Sequence, residues 1–575
     1  MKPVLWLLAA VTPSQCIQHI SDIIERIHSS DQKYEPSQQL QAQSVEEFST
    51  TSDVQTLMFD QRLDHFTSQT ECHQSNHCDT FQQRYFYTSR FVHREDGSGG
   101  AGKNTISFLC VGGEGPSLDE SVLIDSVHCT GDMIELASKL YNEKHWNIHL
   151  FALEHRYYGE SHPDKNKQRA EANLRVNGKE LDAQKEYKYL SSRQAVQDII
   201  QFVQSHSVLK HINESDDAKN NVRWITFGGS YPGMLAAWSR LLHPDLIFGA
   251  VANSAPVQAE VDFRKYNDHV ALDLGEGSQV GGSKKCLDIF ESGHAEVASI
   301  LEGGDVDEIE RVATAFNVCD GSLALMKDRK NIDFFVGYSL LPINVQSNDP
   351  TCDKPLCNIQ KICDAIIDEY DQNQSSLETL AKIGRQMQLG RCKEADYQLM
   401  IDYFSAPSTL INSNDRSWYY QTCTEFGFYQ TCENNSRCPY AKGHHSIDLD
   451  LEICQKCFGI NTEEVKASIK STLAYYGGWN LMPENPDSEG QKRLIFVNGS
   501  ADPWSELSVN ESRGRGNVKV KTMNVLGASH HFWTHAVKES DDSKIFDVRK
   551  AIYDEIYNWL GINVDSPSHY VLETE

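Results

Sequence analysis

Residues 223–238 read Arg-Trp-Ile-Thr-Phe-Gly-Gly-Ser-Tyr-Pro-Gly-Met-Leu-Ala-Ala-Trp. The stretch begins as an apolar strand, passes through a glycine-rich turn centred on Ser230, and continues with helical spacing. A serine at such a strand-to-helix turn presents its hydroxyl beside the first N–H groups of the helix. The pattern therefore predicts a nucleophile elbow, with Ser230 as the nucleophile and the Tyr231 N–H as an oxyanion donor.

The residues around this serine fit the steric demands of an elbow, with one departure. Strand and helix nearly touch at the turn, so the positions two before and two after the serine must be small. Gly228 meets this requirement, whereas Pro232 stands in place of the second glycine. Proline is tolerated there because its missing N–H would be unpaired in the first turn of a helix. The alternative interpretation is an ordinary Gly/Ser/Pro turn without catalytic function.

Two further candidate residues follow strand-like runs downstream. Residues 494–497 read as a buried strand that leads into Asp502, and residues 518–525 as another that leads into His530 and His531. Serine, aspartate and histidine in this chain order, on loops after strands, are typical of the α/β-hydrolase fold. We therefore expect the aspartate and the first histidine to complete a catalytic triad, with the second histidine as the alternative base. The non-catalytic interpretations are a turn-capping aspartate and a structural imidazole.

Several motifs resemble those of peptidase family S28, and those of its thymus-specific branch in particular. The resemblance extends from about residue 59 to the C-terminus. The motifs that carry it are 59–66 (FDQRLDHF), 81–86 (FQQRYF), 112–116 (GGEGP), 154–161 (EHRYYGES), 228–231 (GGSY), 421–427 (QTCTEFG), 498–504 (NGSADPW) and the pair His530-His531.

This resemblance implies a secreted or lysosomal serine exopeptidase that cleaves short peptides after proline. Carried over by position, it makes Ser230 the nucleophile, Asp502 the acid and His530 the general base of an acyl-enzyme mechanism. It also implies an α/β-hydrolase fold, which is a doubly wound, mostly parallel sheet, with an inserted helical and disulfide-bearing cap.

The loop after a central strand is expected to supply a second oxyanion donor. Residues 105–111 read as that strand and residues 112–115 as its loop. Gly113 is the expected donor, because a backbone N–H in this loop can receive the oxyanion of the transition state. The alternative is that these glycines only make a turn.

Substrate-binding residues are assigned from their positions near the triad. Met234 and Trp504 are placed to line an apolar proline slot. The alternative for either residue is a position in the hydrophobic core. A dipeptidyl peptidase needs a carboxylate for the free amine of its substrate, and Glu114 and Glu425 are the candidates. A carboxypeptidase instead needs a cation for the terminal carboxylate. The sequence leaves both directions of attack open.

Alternating strand and helix signals predict how the chain is organised. Strand-like runs are interleaved with helical patterns up to about residue 259, which predicts a parallel, doubly wound sheet. The pattern then becomes helical and cysteine-bearing. The predicted divisions are a signal peptide (1–16), a leader or propeptide (17–53), the first part of the hydrolase fold (54–259), a helical cap (260–410) and the second part of the hydrolase fold (411–575).

Composition narrows the class of function. The chain has 575 residues with a formal net charge of −28, which argues against binding nucleic acid or an anionic membrane surface. The apolar run at residues 4–11 is too short to cross a bilayer and reads as part of a signal peptide. The expected partners are therefore peptide substrates, with no membrane span, and homodimer formation is left open.

The sixteen cysteines predict disulfides if the protein is exported. Setting aside Cys16, near the predicted cleavage site, leaves fifteen, and Cys110, inside a predicted central strand, is the expected unpaired thiol. The spacing Cys454-x-x-Cys457 is also compatible with zinc, but an exported protein favours disulfides. We therefore expect no metal and no cofactor.

Five asparagines stand in N-x-[ST] sequons. Asn213, Asn373, Asn434 and Asn510 are the expected glycosylation sites, whereas Asn498 lies in the acid loop and is expected to stay unmodified.

Two other functions are compatible with the same residues. The first is an esterase or lipase that uses the triad on lipids or small esters. The second is a secreted binding protein that keeps the hydrolase scaffold without activity, although an intact set of serine, aspartate and histidine argues against it.

Overall fold

The computed structural model describes most of the chain. The described residues are 53–67, 79–93, 104–163, 183–212, 222–275, 277, 279–319, 321–338, 340–341, 343–388, 391–406, 413–481, 492–513 and 520–563. The predicted signal peptide, almost all of the predicted leader and the sequon residue Asn213 lie outside them.

Within these residues the strands form a large sheet and a small one. In chain order they are β1 (Gln55–Arg62), β2 (Thr80–Phe91), β3 (Thr105–Val111), β4 (Asn147–Leu153), β5 (Trp224–Gly229), β6 (Ile247–Asn253), β7 (Glu260–Asp262), β8 (Gly427–Tyr429), β9 (Leu494–Gly499) and β10 (Lys521–Val525). The large sheet has the order β1-β2-β4-β3-β5-β6-β9-β10, and β7 pairs with β8. From β4 to β10 all neighbours in the large sheet are parallel. Only β1 and β2 run antiparallel to their neighbours.

The α-helices connect and cover these strands. In chain order they are α1 (Glu135–Lys144), α2 (Ala183–Glu186), α3 (Ser192–Gln204), α4 (His206–Leu209), α5 (Tyr231–Leu242), α6 (Arg264–Gly275), α7 (Lys284–Gly303), α8 (Val306–Ala315), α9 (Arg329–Gly337), α10 (Ile359–Asn373), α11 (Ser376–Met387), α12 (Tyr397–Ser405), α13 (Ser413–Gln421), α14 (Ile447–Phe458), α15 (Thr462–Tyr476) and α16 (Ser543–Leu560).

Two hydrophobic cores lie on opposite faces of the large sheet. Successive side chains of a strand point to opposite faces, so neighbouring residues of β3 belong to different cores. Leu109 is buried in the core that contains Val196 of α3 and Leu235 of α5. Phe108 is buried in the core that contains Leu136 of α1 and Ile552 of α16. This arrangement is the doubly wound sheet of an α/β-hydrolase, as predicted.

The helical insertion between β6 and β9 is longer than the predicted residues 260–410. Helices continue to Tyr476, and the large sheet resumes only at Leu494. The predicted end is therefore wrong by tens of residues. The reason is tertiary: β8 returns to pair with β7 at the start of the insertion, and α13 to α15 pack around that return.

Six disulfides join described cysteines, and five of them lie in the insertion. They are Cys110–Cys129, Cys286–Cys363, Cys319–Cys392, Cys352–Cys357, Cys423–Cys454 and Cys432–Cys438. The expectation that Cys110 is unpaired is wrong, because its side chain points into the core where Cys129 is buried. The free thiol among the described cysteines is Cys457.

The described sequons differ in exposure. Asn373 and Asn434 are exposed, and Asn510 is half-buried. Asn498 is buried and donates to the Val509 carbonyl at 2.8 Å. None of the described helices is long and apolar enough to cross a membrane.

Candidate active site

Ser230 lies in a strained turn between β5 and α5. Its backbone has φ +62° and ψ −131°, a conformation that residues other than glycine rarely adopt. Its N–H donates to the Asn253 carbonyl of β6 at 2.9 Å, which holds the turn against the sheet. A Cβ at Gly228 would lie 2.4 Å from the Pro232 backbone. The turn therefore has the geometry of an elbow and requires glycine two positions before the serine.

Asp502 and His530 meet on loops at the same edge of the sheet. They follow β9 and β10, which are parallel to β5, so the three loops leave the sheet on one side. The His530 Nδ1 lies 2.8 Å from Asp502 Oδ2, and the other carboxylate oxygen accepts from the Trp504 N–H at 3.0 Å. The aspartate is completely buried. Because a carboxylate accepts a hydrogen bond, it holds the imidazole in the tautomer with the proton on Nδ1.

The other nitrogen of this imidazole is not engaged by any described residue. His530 Nε2 is buried and has no hydrogen-bond partner among the described residues. A buried polar atom without a partner is costly in a folded protein and points to a functional role. An unprotonated Nε2 is the form that accepts a proton from a nucleophile.

His531 has a different environment. A Cβ at Gly229 would lie 2.9 Å from its ring, so the imidazole packs directly beneath the elbow. Its backbone N–H donates to Ser254 Oγ at 2.9 Å, and its Nδ1 lies 3.2 Å from Thr534 Oγ1. Burial, together with the neighbouring histidines, pushes the pKa of His531 well below its usual value. These contacts favour a neutral, structural imidazole, which leaves His530 as the better candidate for the base.

The loop after β3 touches the elbow. A Cβ at Gly113 would lie 2.4 Å from Pro232 Cγ, so a side chain at this position would collide with the first turn of α5. The Tyr231 N–H belongs to that same first turn, and the first N–H groups of a helix have no partner within the helix. The two predicted oxyanion donors therefore lie on segments that are in contact.

Glu114 follows in the same loop. Its Oε2 is buried without a partner among the described residues. Burial raises the pKa of Glu114 to about 8. The carboxyl group is therefore neutral at acidic and neutral pH.

Comparison with known proteins identifies the family. Residues 61–552 match the family described as serine carboxypeptidase S28. The chain belongs to this family. Thymus-specific serine protease of Mus musculus is 31% identical over 488 residues, which is 84% of each chain. Lysosomal Pro-X carboxypeptidase of Homo sapiens is 24% identical over 532 residues, which is 89% of each chain. As an S28 protein, the chain is a serine-type peptidase.

Solved structures give only a distant likeness. The peroxisomal alpha-beta-hydrolase Lpx1 of Saccharomyces cerevisiae is 10% identical, with a TM-score of 0.31 over 90% of this chain and 93% of that chain. The fold of this S28 peptidase is therefore assigned from its strand order and its two helical layers.

Glu425 has a structural position in this S28 peptidase. It is buried, and its carboxylate accepts from the Ser192 N–H at 2.8 Å, from the Ser192 hydroxyl at 2.7 Å and from Gln421 Nε2 at 3.1 Å. A carboxylate at the first turn of a helix stabilises that helix, which here is α3. The sequence placed Glu425 as a candidate for binding a free amine, but its oxygens are already bonded within the chain.

An aromatic wall connects the elbow to the acid loop. Ring centroids are 5.3 Å apart for Tyr231 and Phe426, 5.5 Å for Phe426 and Phe428, and 5.3 Å for Phe428 and Trp504. Trp504 in turn lies 6.2 Å from the His530 ring. The wall thus runs from the residue after the elbow serine to the imidazole.

The sequence predicted only part of this wall. Trp504 lies in it, whereas Met234 is buried elsewhere in the same hydrophobic core. Phe426 and Phe428 come from the insertion and were not predicted as site residues. Phe426 lies in the 421–427 motif and Phe428 directly follows it, so the motif was the available sequence signal. The pairing of β7 with β8 brings these residues to the sheet edge.

A groove lined by described residues lies elsewhere on the molecule. A cavity of about 790 Å³ between β1 and α3 is lined by Phe59, Arg62 and Gln197, among others. This is the opposite side of the sheet order from the loops of Asp502 and His530. It contains none of the predicted catalytic residues.

Proposed function

We propose that this S28 peptidase is an exopeptidase of short peptides that uses Ser230, His530 and Asp502 in an acyl-enzyme mechanism. The observation that carries the proposal is the hydrogen bond from His530 to the buried Asp502, which leaves a buried, unpartnered Nε2 at the sheet edge where the strained serine begins α5. The chain order and the bond between the acid and the imidazole support a hydrolase triad.

Each residue has a defined step in this mechanism. His530 Nε2 accepts the proton of Ser230 Oγ while the oxygen attacks the scissile carbonyl. The carbonyl oxygen becomes an oxyanion that accepts hydrogen bonds from the N–H groups of Tyr231 and Gly113. The imidazolium gives its proton to the departing amine, and water then releases the acyl group by the same route. Asp502 stays ionised and stabilises the imidazolium.

We propose specificity for proline on the acyl side of the scissile bond. The aromatic wall from Tyr231 through Phe426 and Phe428 to Trp504 makes the surroundings apolar between the elbow and the imidazole. A pyrrolidine ring is compact and apolar, so it gains more from such a surface than a flexible polar side chain does.

We further propose that the enzyme attacks the carboxyl end of its substrates. A dipeptidyl peptidase needs an ionised carboxylate for the substrate amine. In the substrate-free site, burial raises the pKa of Glu114 to about 8, and the oxygens of Glu425 are bonded to Ser192 and Gln421. Neither candidate therefore offers a free negative charge at acidic pH, which weakens the dipeptidyl alternative.

Reporter peptides test both the proline specificity and the direction of attack. At pH 5, an N-blocked peptide ending in Pro-X should be hydrolysed at least tenfold faster, in kcat/KM, than the matching Ala-X peptide or a free-amine X-Pro reporter. The three reporters are compared on the same purified protein, beside Ser230→Ala. A preference for the free-amine reporter would overturn the direction of attack, and equal rates for Pro and Ala would overturn the specificity. Turnover of short-chain esters without peptide cleavage would support the esterase alternative instead.

We propose an acidic lumen, secretory or lysosomal, as the working environment. His269 of α6 has its Nε2 3.0 Å from the Ser500 carbonyl and its Nδ1 3.3 Å from Glu506 Oε1. Both partners are acceptors, so both contacts are made only by the doubly protonated imidazolium. The ring thereby links the insertion to the loop that holds Asp502. The disulfides and a relative described as lysosomal agree with this location.

The link should make stability depend on pH. Burial lowers the pKa of His269, but hydrogen bonding to Glu506 and the charges of Glu506 and Asp273 outweigh it and raise the pKa above the usual value. Arg513, which binds Glu506, is the facing cation. A raised pKa gives stability that is complete below about pH 6.5, the unfolded value, and that is lost as the pH rises through the folded value. At pH 5, His269→Gln should therefore lower the free energy of unfolding by about 1–2 kcal/mol.

Urea unfolding of the wild type and His269→Gln at pH 5 and pH 8 measures this dependence. The difference between the two proteins should be smaller at pH 8 than at pH 5, because the stabilisation is lost as the pH rises from the unfolded pKa through the folded one. A constant difference across this range would contradict the charged link.

A further inference from the structure

Gln346 joins the insertion to both loops of the proposed triad. It lies in the 3₁₀ turn Val345–Ser347 and is 1% exposed. Its backbone carbonyl accepts from the His530 N–H at 3.0 Å. Its side-chain Oε1 accepts from Trp504 Nε1 at 2.8 Å and from the Tyr266 hydroxyl at 2.8 Å. One residue of the insertion therefore contacts the base loop and the acid loop together.

Neighbouring contacts strengthen the same connection. The Ser529 hydroxyl donates to the Asn348 carbonyl at 2.8 Å, and Lys538 binds Asp349 at 2.9 Å. The segment that precedes the imidazole and the one that follows it are thus both bonded to residues 346–349. Because the His530 loop belongs to the sheet and residues 346–349 belong to the insertion, these bonds cross from one to the other.

The side chain of Gln346 contacts the acid loop, whereas its backbone contacts the base loop. The indole N–H of Trp504 is buried and donates to this oxygen. A buried donor that loses its acceptor must move or stay unsatisfied, and both are costly. The Trp504 backbone N–H is bonded to Asp502 Oδ1, and the indole lies 6.2 Å from the His530 ring. Movement of the indole would therefore disturb the acid and the base at once.

We propose that Gln346 is a positioning residue for the proposed triad, and that the insertion is in this way required for catalysis as well as for covering the site. The proposal rests on the proposed function. Gln346 touches neither substrate nor Ser230; it acts through Trp504 and through the loop that carries His530. A displacement of about 1 Å in a catalytic group can lower turnover by about 10²-fold, so a residue of this kind has a large effect at a distance.

The test compares two substitutions of similar shape. Gln346→Met removes the acceptor oxygen, whereas Gln346→Glu keeps an acceptor at the same place in either protonation state. We expect Gln346→Met to lower kcat on the Pro-X peptide tenfold to a hundredfold. The rate of Ser230 labelling by a fluorophosphonate should fall by a similar factor, because labelling needs the base and makes no use of the proline slot. Gln346→Glu should restore kcat to within about threefold of the wild type.

Asn331→Leu is the matched control. Asn331 is a buried amide of α9 in the same insertion, bonded to the Leu325 carbonyl and the Tyr397 N–H. Its loss should lower stability without changing kcat or the labelling rate. Unfolding temperatures of all variants show which proteins are folded at the assay temperature.

Three results would overturn the positioning role of Gln346. An unchanged kcat in folded Gln346→Met, a rise in KM alone, or equal impairment in Gln346→Glu would overturn the positioning role and leave the triad standing. If Gln346→Met does not fold, Trp504→Phe takes its place, because it removes the indole N–H that donates to Gln346. An undiminished rate of fluorophosphonate labelling in folded Trp504→Phe would overturn the positioning role. Failure of the wild type to label at Ser230 would instead remove the triad on which the proposal rests.

Discussion

Asp502→Asn is expected to lower kcat by roughly 10⁴-fold while the protein stays folded. The carboxylate is completely buried and holds His530 Nδ1 at 2.8 Å. An asparagine in this place can turn its amide N–H toward the ring, which makes Nδ1 the acceptor and puts the proton on Nε2. A protonated Nε2 cannot accept the serine proton. The Trp504 N–H can still donate to the amide oxygen, so the loop should keep its shape.

Steady-state kinetics on the Pro-X peptide measure this effect, with circular dichroism as the check on folding. Asp541→Asn is a suitable control, because Asp541 is also buried and is paired with Arg549 at 2.7 Å outside the proposed triad. The control should lose stability and keep its kcat. If folded Asp502→Asn retains more than about a tenth of the wild-type kcat, the aspartate has no role in orienting the imidazole.

The sequence was most informative where the determinants are local. The strand Thr105–Val111 has the predicted bounds, and the elbow was predicted because its strand, its glycine turn and its helix lie within sixteen consecutive residues. The pairing of Asp502 with His530 could also be predicted, since parallel strands bring the loops that follow them to one edge. For these parts, hydrophobic pattern and chain order are sufficient.

The sequence was least informative where distant segments meet. The Cys110–Cys129 bridge joins a strand to a loop whose path depends on the whole sheet. The end of the insertion was misplaced because β8 returns to β7 across more than a hundred residues of helix. Such pairings depend on tertiary packing, which no local pattern records.

The same limitation hid part of the candidate site. Phe426 and Phe428 flank a turn at Gly427, whose φ is +72° and where an added Cβ would lie 2.3 Å from the Glu260 carbonyl. Gln346 lies in a segment with no motif at all, and only its contacts with His530 and Trp504 reveal it. Residues supplied by the insertion were therefore found from geometry, whereas residues at strand ends were found from sequence.

Ser230→Ala should have the largest effect of all, a loss of kcat on the order of 10⁶-fold. Without the hydroxyl no acyl-enzyme can form, and the oxyanion donors alone give only weak catalysis. The change removes a single oxygen from a buried side chain whose backbone N–H stays bonded to the Asn253 carbonyl. The elbow should therefore keep its shape, and unfolding temperatures should stay close to the wild-type value.

Covalent labelling tests the central claim most directly. The purified wild type is treated with a fluorophosphonate, and peptide mass spectrometry locates the modified residue and measures its occupancy. The account predicts one label per chain, on Ser230, with labelling absent in Ser230→Ala and strongly slowed in Asp502→Asn. Undiminished labelling of Ser230→Ala, or a label on another residue of the wild type, would contradict it.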